Sequence, residues 1–386
     1  MKAFAETREG VRLVHCLNLC RSRQAALLRC KPSRKAGVYR LDRCPLKSAR
    51  RRRLLKITAI LLSCDAAGFV TDALQSLLQQ DYPGEVEVIV SDDASTDGSD
   101  RLLEQALAAY EGPWSWRLMR QPSRSGSKSA HLNRLRGLVT GDLVATFDAD
   151  DESHPGRLRR LAEAFARDDS IMAVYSGFDL MDESGRAQGR ARFASLPNGA
   201  DGLQWFARVD AYAPGTTLAV RREVLERFPP LEPGINEDIV LPFRAALLGE
   251  VRFIDDSLVR ARRRPGSLTA DYQQLESVAA YRARMRHGVD RAEAQLRSRL
   301  ADIEIARTLG VRTEWALDAA IGEARRSLQD VRRSCGLFSE RFDERLTAFL
   351  QLWNAPGFRL DRGLNLALVL VPGVYLAWKR RRLKRR

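Results

Sequence analysis

An α/β fold with a mostly parallel central sheet, followed by a helical extension, is predicted by two patterns in this 386-residue chain. From Leu54 onward, short apolar runs rich in β-formers alternate with segments whose apolar residues recur at helical spacing. After about Gln273 only the helical spacing continues. The length suits one large domain or two of ordinary size, and 45% hydrophobic with 29% charged residues is an ordinary globular balance.

Each element follows from its own stretch. "KITAILLS" reads as a first strand, "VTDALQSLLQQ" as a helix and "EVEVIVS" as a second strand, a βαβ unit whose strands pair in parallel. The pattern repeats with a helix over "SDRLLEQALAAY", a strand at "WRLM", a helix over "KSAHLNRLRGLV" and a buried strand at "DLVATF". "ESHPGRLRRLAEAF" supplies the next helix start. Beyond residue 273, "LESVAAYRARMRHGVDRAEAQLRSRLADIEIARTL" and "EWALDAAIGEARRSLQDVRRSC" read as helices packed on the core with solvated Arg-rich faces. The expected organisation is therefore a basic, disordered leader over 1–53, an α/β domain over 54–272, helices over 273–362, and an apolar segment with a polybasic tail over 363–386.

Charge separates these regions. The chain is +15 overall, but residues 1–53 carry +13 and the tail "KRRRLKRR" carries +7, which leaves the middle at −5. Basicity confined to the ends argues against nucleic acid as a partner and suits an anionic membrane surface. The fifteen residues "LNLALVLVPGVYLAW" at 364–378, interrupted by Pro372 and Gly373, fall short of the ~20 needed to span a bilayer as a helix. An interfacial or re-entrant anchor is the expectation, with a buried core helix as the alternative. Cysteines 16, 20, 30 and 44 lack the paired Cys-x2-Cys spacing of zinc knuckles, and with no apolar export signal in the first thirty residues the cytoplasm is the expected compartment.

Two acidic motifs fall at strand carboxyl ends, where α/β sheets bind ligands. "FDADD" puts Asp148, Asp150 and Asp151 together, and their repulsion calls for a cation or hydrogen-bond donors. A divalent ion with oxygen ligands answers that need; an acidic loop capping the next helix also answers it. "SDDASTDGS" offers Asp92, Asp93, Ser95, Thr96 and Asp97 to a base and ribose, or to a turn and helix cap. A GxGxxG fingerprint follows neither strand, which weighs against NAD. His131 and His154 stand alone without ligand spacing and read as incidental.

Taken in order, "SCD" (Ser63, Cys64, Asp65), "DDASTD", Asn133 in the "NRLRGLVTG" stretch, "FDADDESHP", "APGTTLAVRREVLERF" and "INEDIVLPFRAALLG" resemble the inverting family 2 glycosyltransferases of the GT-A fold, over about residues 57–270. The resemblance implies a nucleotide-diphosphate sugar donor, UDP-type, and a glycan or lipid-linked acceptor. It implies that Asp93 or Asp92 binds the base, that Asp148 and Asp150 hold ribose and a Mn2+ or Mg2+ ion with Asp151 contributing, and that Asp238, beside Glu237, is the general base. Ser63, Asp65 and Asn133 fall on further donor-binding positions. Arg262 matches the family's Tyr-Arg-x-His arginine, whereas Arg264 stands where histidine is usual; since arginine cannot ligate a metal, both are expected to clamp diphosphate. Cys64 and Asp65 replace the usual Tyr-Asn pair. Lys128 is a further phosphate candidate, weighed against an ordinary exposed lysine. Peripheral attachment at the inner face of the cell membrane is the expected location. The alternatives kept open are a nucleotidyltransferase, which would want a basic Gly-rich loop after the first strand where "SCDAAGFVTD" has none, and a non-catalytic membrane-bound binding protein.

Overall fold

The computed structural model describes residues 54–197, 200–264, 278–337 and 339–353. The leader with its four cysteines, the boundary at 272/273, and the apolar and polybasic segments at 363–386 lie outside the described residues.

The chain enters as β1 (Ile57–Ser63), α1 (Val70–Leu78), β2 (Val86–Asp92), α2 (Ser99–Ala108), β3 (Ser115–Arg120), α3 (Lys128–Leu135) and β4 (Leu143–Asp148). It continues through β5 (Glu152–Ser153), α4 (Arg157–Phe165), β6 (Ile171–Met181), β7 (Ala187–Arg190), α5 (Gly202–Ala207), β8 (Ala219–Arg221), α6 (Arg222–Glu226), α7 (Glu237–Leu248) and β9 (Glu250–Arg262). The helices α8 (Val278–Leu309), α9 (Glu314–Gly336) and α10 (Phe342–Trp353) come last.

β1 shows why these strands read as continuous apolar runs. All seven of its residues are buried. Ile57, Ala59 and Leu61 face one core layer while Ile60 and Leu62 face the other, the two-residue alternation of a strand covered on both faces. β3, β2, β1 and β4 pair in parallel in that order, so Ser63, Asp92 and Asp148 emerge at one edge: Ser63 pairs with Asp92, and Leu62 with Asp148.

Most of the pairing in the sheet is parallel, as expected, and the sheet becomes mixed beyond β4. The order runs β3-β2-β1-β4-β8-β6-β9-β5, with β7 on β6. β8 is antiparallel to both β4 and β6, and β5 and β7 are antiparallel to their partners, while β6 and β9 are parallel. β8 has three residues and β5 two, too few to carry a readable period in sequence.

α8 and α9 pack on the α/β part. Ile303, Ala306, Leu317 and Ala320 are buried in the same core layer as Ile60 and Val240. Arg244 of α7 and Asp302 of α8 form a buried ion pair at 2.9 Å, and the Arg312 guanidinium donates to the carbonyls of Ala246 (2.6 Å), Leu247 (3.1 Å) and Gly249 (2.5 Å). Those are carbonyls that a helix terminus leaves without intrahelical donors. Among the described residues no helix is long and apolar enough to cross a membrane.

Candidate active site

At the β2 end the carboxylates are held by amides and hydroxyls of adjoining loops. Asp92 accepts from the Ser95 amide at 2.9 Å and from its hydroxyl at 2.5 Å. Asp93 accepts from the Ser125 amide at 2.9 and 3.0 Å and from the Ser125 hydroxyl at 2.7 Å. Asp65, at the β1 end, accepts from the Thr96 amide at 2.9 Å and pairs with Arg124; the backbone bond first and the guanidinium second hold its carboxyl below the usual range. Asp65 (φ 46°) and Ala94 (φ 56°) adopt the left-handed region, conformations that cost a side chain about 1 kcal/mol or more and concentrate at binding sites. The N-cap of α2 is Gly98, and Asp97 just before it accepts from Ser99 N at 3.0 Å. The Ser63 hydroxyl is buried without a partner.

The β4 end is built from distant segments. Lys128, at the first position of α3, places its Nζ 2.6 Å from Asp148 Oδ1 and 2.8 Å from Glu237 Oε1. It is no ordinary exposed lysine: its side chain is 21% exposed and that of Glu237 only 3%. Burial alone would lower its pKa, but the two carboxylates, Asp148 first, outweigh that and raise it. The ammonium is the counter-ion that the two carboxylates share.

α3 is fastened so that Lys128 meets α7. Next to it, the Ser129 hydroxyl donates to the Ile235 carbonyl. The Asn133 amide donates to Leu231 O and accepts from Leu231 N, both at 2.8 Å. Expected to touch the donor, Asn133 instead has its Nδ2 and Oδ1 engaged by backbone and clasps the loop that leads into α7. His131 is buried and shares a hydrogen bond with Ser91 Oγ at 2.8 Å, and His154 accepts from Gly156 N at 3.1 Å, so both histidines have structural roles.

Glu237 and Asp238 open α7, where the helix dipole favours acids. Pro242 sits four residues after Asp238 and brings no N–H; the freed Asp238 carbonyl accepts from Ala213 N at 2.9 Å. That bond docks the 213–217 stretch onto α7. A Cβ on Gly215 would lie 2.4 Å from Glu237 Oε1, 3.2 Å from Lys128 Nζ and 3.5 Å from Asp238 Cβ, so glycine is required there by close approach. Asp238 is half-buried, yet its Oδ1 is sealed from solvent with no hydrogen-bond partner among the described residues. Burial first, then Glu237, push its carboxyl up to about 8, with Lys128 opposing.

The remaining β4 carboxylates diverge. Asp150 Oδ2 pairs with Arg264 Nε at 3.0 Å, and Asp151 Oδ1 accepts from the Arg262 amide at 2.8 Å. Burial first, then Asp150 and Asp148, push the Asp151 carboxyl up to about 8. Arg262 is enclosed: its guanidinium donates to Asp150 O (3.0 Å), Glu183 O (2.9 Å) and Glu152 Oε1 (2.9 Å) and lies over Phe69. Its donors are occupied by the chain itself, whereas among the described residues Arg264 pairs with the Asp150 carboxylate alone.

Among the described residues no group of three or more His, Cys, Asp or Glu side chains is placed to hold a metal ion. Asp148, Asp150 and Asp151 therefore form no ready-made cage. Their chemistry, carboxylate oxygen only, with one carboxyl driven toward its neutral form by burial first and then by two neighbours, suits a hard cation shared with a phosphate-bearing ligand through one or two of these groups.

Sequence reasoning missed Arg157, Arg124, Ser125 and Gly215. Arg157 is wholly buried behind the acids, donates to Thr146 O at 2.8 Å and to Ser153 Oγ at 3.0 Å, and lies over Phe147. Burial depresses its pKa against the pull of Asp148 and Asp151. As one of three arginines in "GRLRRL" it carried no distinguishing signal. Gly215 and Ser125 sit in Gly/Ser/Thr turns, and only the fold shows which groups they approach.

A mixed sheet with acids at the carboxyl ends of β2 and β4, and a Glu-Asp pair facing them, defines a GT-A-type nucleotide-sugar transferase fold. Residues 58–228, a little under half of the chain, match the profile of glycosyl transferase family 2. An uncharacterized glycosyltransferase of Nostoc sp. is 26% identical over 219 residues, covering 54% of this chain and 65% of the relative. The beta-monoglucosyldiacylglycerol synthase of Synechocystis sp. is 38% identical over 94 residues, 24% of this chain and 19% of the relative. The chain thus spans less than two thirds of the length of each. The crystal structure of S. aureus TarS 1-349 in complex with UDP shares the fold at a TM-score of 0.50 and 17% identity, covering 86% of this chain and 90% of that one.

Proposed function

We propose that the chain transfers a sugar from a nucleotide-diphosphate sugar to a hydroxyl of a lipid-linked or polysaccharide acceptor, with inversion in a single displacement. The observation that carries this reading is the Asp148–Lys128–Glu237 bridge beside Asp238, whose sealed Oδ1 lacks a partner. Asp238 takes the acceptor hydroxyl proton while that oxygen forms its bond to the anomeric carbon; the bond from that carbon to the diphosphate breaks, and its electron pair leaves on the diphosphate oxygen. Asp65, Asp92, Asp93 and Ser63 line the base and ribose side, and Arg264 with Lys128 face the diphosphate. Arg262 and Asn133 act as positioning residues for the Asp150 loop and for α3. A Mn2+ or Mg2+ ion, held by Asp150 with Asp148 and with Asp151 adjoining, would supply positive charge to the diphosphate.

Residues 54–272 act as the catalytic domain and 273–362 as a helical extension sharing its core, with 1–53 as a basic leader. The likeness to a UDP-bound structure is one of fold; it makes UDP-sugars the first donors to test. The partial likeness to a glycolipid synthase, together with the +7 tail, favours a lipid-linked acceptor at the inner membrane face. A donor screen with Mn2+ present is the experiment. Transfer or donor hydrolysis is expected, lost by about 100-fold or more in Asp238→Asn and Asp150→Ala. No turnover of any donor, or full activity in Asp238→Asn, would overturn the reading.

A further inference from the structure

Among the described residues, α10 leaves one apolar face uncovered. Phe342 (50% exposed), Leu346 (37%) and Leu350 (51%) recur at four-residue intervals, which places them along one side of a helix. The helix is firmly seated by its other side. Ala348 and Phe349 are buried, and a Cβ on Gly336 of α9 would lie 2.8 Å from the Ala348 Cβ, so the two helices meet at close range. The stripe is therefore the outer face of a docked helix.

We propose that Phe342, Leu346 and Leu350 form a membrane-docking stripe that rests on an anionic bilayer. The chain beyond α10 points to that occupant. Ten residues, 354–363, separate α10 from the apolar run at 364–378, after which seven of eight residues are cationic. Ten residues reach at most about 35 Å, so stripe, apolar run and tail can meet one surface together. An apolar contact combined with a polybasic run is the two-signal arrangement that gives stable interfacial binding. A second copy is a poor occupant, because each would bring its own +7 tail to the contact and the chains are +15 overall. The proposal rests on the reading that the enzyme works at a membrane, and its test is independent of turnover.

The full chain is floated with vesicles of phosphatidylcholine containing about a third phosphatidylglycerol, and with pure phosphatidylcholine as control. The parent is expected to partition onto the anionic vesicles, and the triple variant Phe342→Glu, Leu346→Glu, Leu350→Glu to lose about tenfold or more of that partition. Donor hydrolysis is expected to be unchanged in the variant, showing an intact fold. If neither protein hydrolyses donor, the catalytic reading fails while the partition result still decides the stripe. Should the triple variant not fold, Leu350→Ser replaces a single exposed side chain and is expected to lower partition about threefold. Equal partition of parent and variant would overturn the proposal and assign binding to the tail alone. A parent that is dimeric in solution and made monomeric by the triple variant, without vesicle binding, would overturn it in favour of a second copy. Variants that partition more strongly than the parent would show residues 364–378 to be bound by the stripe, and would overturn it too.

Discussion

The carboxylates at the end of β2 and those at the end of β4 lie on strands that flank β1, yet they are held in opposite ways. Asp92 and Asp93 are held by amides and hydroxyls of Ser95 and Ser125. Asp148 and Glu237 share one ammonium, and Asp238 has a sealed, unpartnered oxygen. The first arrangement is a rigid, pre-satisfied cradle of the kind that positions a ligand. The second holds charge under strain, as a site must if it is to move a proton or meet a charged group.

Lys128→Met tests the contrast most severely. It leaves Asp148 and the buried Glu237 without their counter-ion, so unfolding in urea should show a loss of about 3–5 kcal/mol. Activity should fall by about 100-fold. A loss below about 1 kcal/mol would show that the β4 end is as self-sufficient as the β2 end.

The second test is pH. With the Asp238 carboxyl raised to about 8, the base is active only once deprotonated, so kcat/KM should fall about tenfold per unit below that value. The same shift sets the sign for stability. Between the ordinary carboxylate pKa near 4 and about 8, the folded chain keeps a proton that the unfolded chain has lost. Stability from this group is therefore greatest at the acid end, declines as pH rises through that window, and is gone above it. Asp238→Asn should flatten that decline. An acid limb in the ordinary carboxylate range would break the contrast.

Gly215→Ala comes next. A Cβ 2.4 Å from Glu237 Oε1 must push the bridge apart, at a cost of about 1–3 kcal/mol and a kcat loss larger than any change in donor KM. The smallest effects separate Asn133 from Ser125. Asn133→Ala leaves the Leu231 N–H and C=O unpaired and should cost about 1–2 kcal/mol with donor KM unchanged. Ser125→Ala keeps the amide to Asp93 and should cost under about 1 kcal/mol, with donor KM raised a few-fold. The reverse pattern would return Asn133 to the donor site.

The same division separates what could be read in advance from what could not. β1 through β4, their helices, and the acids at their ends were legible because each depends on a local period and on turn chemistry within a few residues. Asn133 and Arg262 were recognised as positions of interest, but their partners, Leu231 and the Asp150 and Glu183 carbonyls, lie 98, 112 and 79 residues away. The two- and three-residue strands β5 and β8 left no periodic trace, so the antiparallel pairings beyond β4 were not legible.

The sequence by itself determined the α/β alternation, the separation of basic ends from an acidic middle, and the match to glycosyl transferase family 2 over residues 58–228, because strand burial, helix spacing and motif order are all written in neighbouring residues. Only the tertiary structure decided that Lys128 is the shared counter-ion, that Gly215 must lack a side chain, that Asn133 binds backbone, and that α8 and α9 brace α7 through Arg244–Asp302 and Arg312. A buried charge or a close approach is defined by what surrounds it, and here the surroundings come from distant chain: Arg244 and Asp302 are 58 residues apart, and Asn133 and Leu231 are 98 apart.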